Sequence, residues 1–421
     1  MSEQGTNILV IGGGISGLTT ATEAAEAGYT VTILEKEPFL GGRVSRMNKY
    51  FPKLCPPACG LEINYRRVKL NPRISFYTFA EVDRISGQPG SYEVDISLKP
   101  RYINDKCTGC NACAEACPVE VPNDFNAGLD KRKAAYISNK QAFPFQYVID
   151  KVACKGDCGT KCKEACKYDA IDLDMKAETV KIKAGSVVLA TGWKPYDAKK
   201  IDNLGFGTSP NIITNVMMER IASGNGPTQG KITRPSDAKE VKKVAFVQCA
   251  GSRDENHLAF CSAVCCLASL KQATYVREQY PDSEVYMFYI DIRTPGTSYE
   301  RFFSKIKEDQ NVKLIKGKVA KVSEDTATGN IIVEAEDIIA GGKVKVAVDM
   351  CVLATGMQPT VSDVKLPSDI KINENGFAVI GKDQKGIHAV GCTKDPVDVA
   401  KSVQGATGAA LKAIQTVGRL S

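Results

Sequence analysis

The run Cys107-Thr-Gly-Cys110-Asn-Ala-Cys113-Ala-Glu-Ala-Cys117-Pro118 constrains this chain more than any other stretch. Its C-x2-C-x2-C-x3-C-P spacing lets three close thiolates wrap one corner of a four-iron cubane while the fourth reaches a neighbouring cluster. Pro118 fixes the backbone as it leaves the last cysteine. Disulfides and zinc are the competing uses of such a run. Zinc sites show two separated C-x2-C knuckles rather than one compressed run. The start, Met1 to Asn7, lacks a basic segment followed by an apolar core, so secretion and disulfide staples are not expected.

A second run, Cys154-Lys-Gly-Asp-Cys158-Gly-Thr-Lys-Cys162-Lys-Glu-Ala-Cys166, follows within the same segment. It has three residues where two are usual in its first gaps, and Lys167 stands where the first run has proline. Together the runs read as halves of a pseudo-symmetric, ferredoxin-like α+β domain over 99–180, in which the fourth Cys of each half serves the other cluster. Cys107, Cys110, Cys113 and Cys166 would then hold one cluster, and Cys154, Cys158, Cys162 and Cys117 the other.

This domain interrupts something else. Ile8-Leu-Val-Ile11 is a short apolar strand, and Gly12-Gly-Gly14-Ile-Ser-Gly17 follows it at once. An Ala-rich helix through residues 19–25 and a second strand, 30–34, lead to Glu35, 18 residues past Gly17. Strand, glycine turn, helix, strand and acid in this order place a pyrophosphate on a helix N-terminus and a carboxylate on ribose hydroxyls. Gly41-Gly42-Arg43 resembles the GG-R element of FAD-dependent disulfide-reductase-like flavoproteins. Val188-Leu-Ala-Thr-Gly192 and Val352-Leu-Ala-Thr-Gly356 resemble the strand and A-T-G turn of that class. Gly391-Cys392 falls where the class carries a flavin-contacting G-D, and the helix from about 397 to 417 would point its N-terminus at the flavin.

The expected fold is therefore α/β: a two-dinucleotide-binding-fold flavoprotein of the disulfide or thioredoxin reductase kind, with the ferredoxin-like domain inserted. FAD-binding segments are expected at 1–98, 181–240 and 351–421. Gly12, Gly14, Ser16, Gly17, Glu35, Gly42, Arg43, Thr191, Gly192, Gly391 and Cys392 are the FAD candidates. A degenerate NAD(P)-like domain is expected at 241–350. There Val244-Ala-Phe-Val247 is a buried strand, but the turn after it reads Gln248-Cys249-Ala250-Gly251-Ser252-Arg253, without the second and third glycines that let a pyrophosphate approach. Cys249 stands in that turn, and Cys261-Ser-Ala-Val-Cys265-Cys266 follows on the next helix. Four cysteines occupy the place of a nicotinamide site.

At these residues the chain resembles the A-type flavoprotein of heterodisulfide reductase and its relatives. The resemblance rests on Val247 to Arg253, Cys261 to Cys266, the Asp291-Ile-Arg-Thr-Pro-Gly296 segment and the insert from Val121 to Lys133. It implies a further 4Fe–4S cluster on Cys249, Cys261, Cys265 and Cys266. The chain's length resembles the short form of the family, found in the quinone-interacting membrane-bound oxidoreductase of sulfate reducers. That resemblance implies electron relay between the membrane quinone pool and adenylylsulfate reductase, with FAD as a branching or storage centre. It also implies partners: a second flavoprotein of the same kind and a membrane quinone-reactive subunit. Three readings compete: a stand-alone NAD(P)H oxidoreductase, a component of a soluble heterodisulfide reductase, and a scaffold without cofactors.

Composition fits an electron-transfer role. The 421 residues suffice for two or three domains. A net charge of +7 without a polybasic block argues against nucleic acid and suits an acidic protein partner. One Trp and two His leave little material for His-based metal or acid–base chemistry. No apolar run approaches the roughly 18 residues a spanning helix needs, so a cytoplasmic location is expected, peripheral to the membrane through other subunits. Cys55-Pro-Pro-Ala-Cys59 is stiffened by its prolines, and reads equally as a structural or flavin-proximal element and as a redox pair. Cys351 reads as a small buried side chain. His257 is expected to be bonded locally, His388 to sit in the core, and Lys131-Arg-Lys133 to be a solvated loop.

Overall fold

The apolar strand at 8–11 is buried on both faces, as continuous apolar runs are in parallel sheets. The computed structural model describes residues 3–154, 160–366, 370–381 and 386–419. The chain forms two compact units, one of residues 1–45, 58–193 and 359–421, the other of residues 46–57 and 194–358.

In the first unit, β1 (Glu3–Ile11), β2 (Val31–Glu35), β3 (Ile74–Thr78), β4 (Ala80–Gln88), β5 (Ser91–Leu98) and β6 (Glu178–Leu189) lie in the order β3-β2-β1-β6-β5-β4. The β3-β2-β1-β6 half is parallel and the β6-β5-β4 half antiparallel. A short strand, Ile387–Ala389, joins β6 in parallel. Helix α1 (Ile15–Glu26) follows β1, α2 (Pro57–Leu70) precedes β3, and the last helix is Val399–Gly418.

The insert leaves at the end of β5 and returns at the start of β6, where Leu98 and Glu178 are register partners. Because the sheet already brings these ends together, a long excursion adds little closure entropy. Arg101, 8% exposed, ties the insert down: Nη2 donates to Pro38 O and Thr78 Oγ1, and the guanidinium lies over the Phe39 and Phe79 rings. The two expected halves are visible as the four-residue helices α3 (Ala112–Glu115) and α4 (Lys161–Glu164), with Cys113 and Cys162 at equivalent positions. Ile103 and Ile171 bridge the halves in antiparallel fashion.

The second unit is a five-stranded parallel sheet. Its strands are β7 (Ile212–Thr214), β8 (Lys243–Ala250), β9 (Glu284–Tyr289), β10 (Val312–Lys316) and, after an antiparallel sheet of β11 (Val319–Asp325), β12 (Asn330–Glu336) and β13 (Lys343–Val348), β14 (Met350–Thr355). The order is β7-β14-β8-β9-β10. Residues 194–240 belong to this unit because β7 pairs with β14. Residues 46–57 join it through Asn48, whose N–H donates to Glu219, and Phe51, which packs on Tyr299 and Phe302. Its helices are α5 (Asn215–Ile221), α6 (Cys265–Gln279) and α7 (Thr297–Glu308). Among the described residues no helix is long and apolar enough to cross a membrane.

Candidate iron–sulfur and dinucleotide sites

The glycine turn after β1 leaves no room for side chains. A Cβ on Gly17 would lie 1.8 Å from Gly12 O, and one on Gly12 would lie 2.2 Å from Ala190 O. Gly14 caps α1 without a side-chain hydrogen bond, so the first amides of this 12-residue helix remain available to an anion. Gly41 N–H donates to Gly13 O at 2.8 Å, bringing the Gly41-Gly42-Arg43 loop over the turn, and Arg43 stacks on Trp193 at 4.9 Å. Glu35 is buried at the end of β2. Its carboxylate accepts from Gly13 N–H at 2.8 Å and from Glu37 N–H at 2.9 Å. Burial nevertheless pushes its pKa up to about 7. Gly391, at φ 62°, approaches Ser16 so closely that a Cβ would lie 2.4 Å from its Oγ. Thr393 Oγ1 lies 3.2 Å from Thr191 Oγ1 and accepts from Gly192 N–H at 3.2 Å. A close-packed glycine turn, open helix amides and a desolvated carboxylate fit a dinucleotide. Cys392 is buried and its Sγ donates to Val397 O at 3.4 Å, and burial raises its thiol to about 11.

In the insert, Cys107, Cys110, Cys113 and Cys166 line one recess of about 310 Å3, together with Tyr147 and Ile171. Cys166 comes from the second run, as the exchange between halves requires. Burial is the largest cause raising Cys113 to about 12, followed by the neighbouring thiolates of Cys107 and Cys110. Tyr147 is likewise raised to about 12, and its hydroxyl bonds to Asn111 Oδ1 at 2.6 Å. Cys117, Cys154 and Cys162 are buried together in the insert's apolar core. Cys158 lies outside the described residues.

In the second unit, Cys249, Cys261, Cys265 and Cys266 line a recess with Ser252, Arg253, Asp291 and Arg293. The strand is longer than expected: β8 runs through Ala250, and the β8–β14 register slips between Val247 and Ala250. Cys249 sits in that bulge with φ 57°. Bulges re-aim side chains beside functional sites. Cys265 and Cys266 form the first turn of α6, whose N-cap makes no side-chain hydrogen bond. Burial pushes Cys265 well up, and Cys266 up to about 11. Burial also raises Cys249, with the Arg253 and Arg293 guanidinium groups acting in the opposite direction.

Among the described residues no three His, Cys, Asp or Glu side chains converge as they would around a single ion. Each recess is lined by four cysteines, the number of thiolates that one four-iron cluster takes, each on a different iron.

Tyr196 Oη meets His257 Nδ1 at 2.9 Å, a bond to a residue 61 positions away rather than within its own loop. His388 Nε2 meets Thr416 Oγ1 at 3.2 Å, and burial lowers its pKa to about 4. Cys351 is fully buried in β14, whereas Cys55 and Cys59 are exposed. The Lys131–Lys133 run is not a solvated loop but a strand paired with Glu120–Pro122. Arg132 binds Asp150 at 2.9 Å and Lys133 binds Glu120 at 3.0 Å, so its charges are largely used internally. Sequence reading missed Arg253, Asp291 and Arg293 as site residues. Their signal lies in the segments 247–253 and 291–296, which mark a resemblance but by themselves name no chemistry.

The fold is that of the thioredoxin reductases, and it carries a segment of the 4Fe–4S binding kind. Residues 10–62 match the family NAD(P)-binding Rossmann-like domain, and residues 100–123 match the family 4Fe-4S binding domain. The thioredoxin reductase of T. acidophilum shares the fold with a TM-score of 0.53 at 14% identity, over 99% of this chain and 100% of that one. That of Lactococcus lactis does so with 0.53 at 13%, over 98% and 99%. In sequence, the chain is similar to the A-type iron-sulfur subunit of the CoB–CoM heterodisulfide reductase of Methanocaldococcus jannaschii. The two are 39% identical over 417 residues, covering 96% of this chain and 63% of that protein. It is also similar to the A-type subunit of the Ferredoxin/F(420)H(2)-dependent CoB-CoM heterodisulfide reductase of Methanosarcina acetivorans, 36% identical over 99% of this chain and 54% of that one. The chain thus spans less than two thirds of these relatives.

Proposed function

We propose that the chain is a flavin and iron–sulfur electron-transfer subunit of a heterodisulfide reductase-like complex. The observation that carries this reading is the recess shared by Cys249, Cys261, Cys265 and Cys266, at the strand end and helix start where a second dinucleotide fold would seat nicotinamide. Arg253 fills the position of a glycine there, and the approach of a pyrophosphate is lost. When bound, FAD exchanges electron pairs and four-iron clusters exchange single electrons. The chain's own part is to hold these groups. The α1 amides and the glycine turn take the pyrophosphate, and Glu35 accepts from ribose hydroxyls. Cys107, Cys110, Cys113 and Cys166 take one cluster, Cys154, Cys158, Cys162 and Cys117 a second, and the recess of the second unit a third. Burial and hydrogen bonds at the sulfurs set the potentials.

The particular complex is proposed to be the quinone-interacting one, linking the membrane quinone pool with adenylylsulfate reductase alongside a second flavoprotein of the same kind. Membership in a soluble heterodisulfide reductase is the competing assignment. Co-purification of a membrane quinone-reactive subunit from the native source is expected under the first, and its absence from an intact complex would favour the second. For the general reading, purified protein titrated anaerobically with NADH or NADPH is expected to keep its flavin oxidised while containing iron and acid-labile sulfide. Prompt flavin bleaching by either nucleotide would overturn it.

A further inference from the structure

Arg253 stands where the second recess needs a cation. The loop that carries it is fixed at both ends: Arg253 N–H donates to Phe260 O at 3.1 Å, and Leu258 N–H donates to Gly251 O at 3.1 Å. The residue holds a left-handed backbone, φ 56°, against its own Cβ. At the tip of the side chain, Nη2 donates to Asp291 Oδ2 at 2.9 Å. Nη1 is buried and meets no nitrogen or oxygen acceptor, while the guanidinium interacts with the Cys249 thiol and acts to lower its pKa. A buried guanidinium donor needs an acceptor, and the atoms this one faces are sulfur, Cys249 first among them. Arg293 also lines the recess, and the N-terminus of α6 opens onto it through Cys265 and Cys266. All three features favour negative charge.

We propose that Arg253 is a tuning residue of the cluster held by Cys249, Cys261, Cys265 and Cys266, its Nη1 donating to a sulfur of that site while Asp291 positions the guanidinium through Nη2. The inference rests on the reading that these cysteines hold a cluster. A cation and a hydrogen bond at a cluster sulfur stabilise the reduced form, which carries one more negative charge, and so raise the potential. Lysine has a point charge without the planar fork, and cannot serve the sulfur and Asp291 with the same geometry.

The test is an EPR-monitored redox titration of the cofactor-loaded full chain. Cys249→Ser first identifies the signal of this site; if it alters no signal, the cluster reading fails and the proposed role of Arg253 falls with it, a result distinct from an unchanged potential. With the signal identified, Arg253→Gln is expected to lower its midpoint potential and Arg253→Lys to lower it less, while the signals of the ferredoxin-like insert stay in place. An unchanged potential in a cluster-retaining Arg253→Gln protein would overturn the proposal. Should that variant lose the cluster, Arg253→Lys decides: a potential equal to that of the unaltered protein overturns it.

Discussion

At the scale of single residues, the costly conformations and the desolvated charges collect where cofactors are expected. Cys249, Arg253 and Ala263 hold φ values of 57°, 56° and 59° around one recess. Such backbones cost on the order of 1–3 kcal/mol each and persist where the surroundings over-determine them. Glu35 is the counterpart in the first unit. Because burial lifts its pKa from 4.5 to about 7, the folded chain binds this proton more tightly than the unfolded chain. The dinucleotide-free protein is therefore helped at pH values below the unfolded pKa, and loses that help as pH rises from about 4.5 to about 7. At about 1.4 kcal/mol per pH unit the loss is on the order of 3 kcal/mol. Glu35→Gln removes the titration. Freed of FAD, the variant is expected to gain stability relative to the parent chain on going from about pH 5 to about pH 8, and to retain FAD less well. Urea unfolding at the two pH values checks this, and a difference that does not change with pH would contradict it.

At the scale of elements, α6 does two jobs. Its first turn carries Cys265 and Cys266, and one and a half turns later Lys271 forms a buried ion pair with Glu219 of α5, Nζ to Oε1 at 3.0 Å, with side chains 2% and 8% exposed. Lys271 Nζ also donates to Lys49 O at 2.6 Å, and Gln272 Nε2 donates to Glu219 Oε1 at 2.7 Å. Removing one member of such a pair leaves the other charge buried, which costs about 3–5 kcal/mol. Lys271→Met is expected to destabilise the chain by that amount in chemical denaturation, and Lys271→Met with Glu219→Leu to recover part of it. If the single variant were as stable as the parent, the pair would carry no structural weight. Much of this element-scale architecture was legible in the sequence. Apolar runs at 8–11 and 244–247 gave buried parallel strands, and the glycine turn with Glu35 gave the first dinucleotide unit. The bulge at Cys249 was not, since it depends on a register slip against β14, about a hundred residues away in the chain. Nor was the pairing of Arg253 with Asp291, because charge type alone does not say which distant carboxylate a guanidinium meets.

For the whole molecule, the arrangement separates the groups by unit. The dinucleotide turn and the ferredoxin-like insert belong to the first unit, and the four-cysteine recess belongs to the second. The second unit keeps the parallel sheet of a nucleotide domain while its strand-end turn carries cysteine and arginine in place of glycines. The insert's division of labour was readable from spacing, because the C-x3-C step at Cys113–Cys117 recurs at Cys162–Cys166 and the two appear as short helices packed in one core. The spacing reads as two halves that each lend their last cysteine to the other cluster. Cys166 lines the recess of Cys107, Cys110 and Cys113, and Cys117 shares one buried core with Cys113, Cys154 and Cys162. The proposed exchange of the last ligand has a direct consequence. Cys166→Ala is expected to impair the cluster of the first run, although it lies in the second, and to lower bound iron by up to about one third, one cubane of the three proposed. The signal that Cys249→Ser alters should persist at its original potential, because that recess draws every cysteine from the other unit. EPR with iron analysis of Cys166→Ala, Cys162→Ala and Cys113→Ala side by side distinguishes the arrangements. If Cys166→Ala and Cys162→Ala removed the same signal while Cys113→Ala removed a different one, each run would close its own cluster.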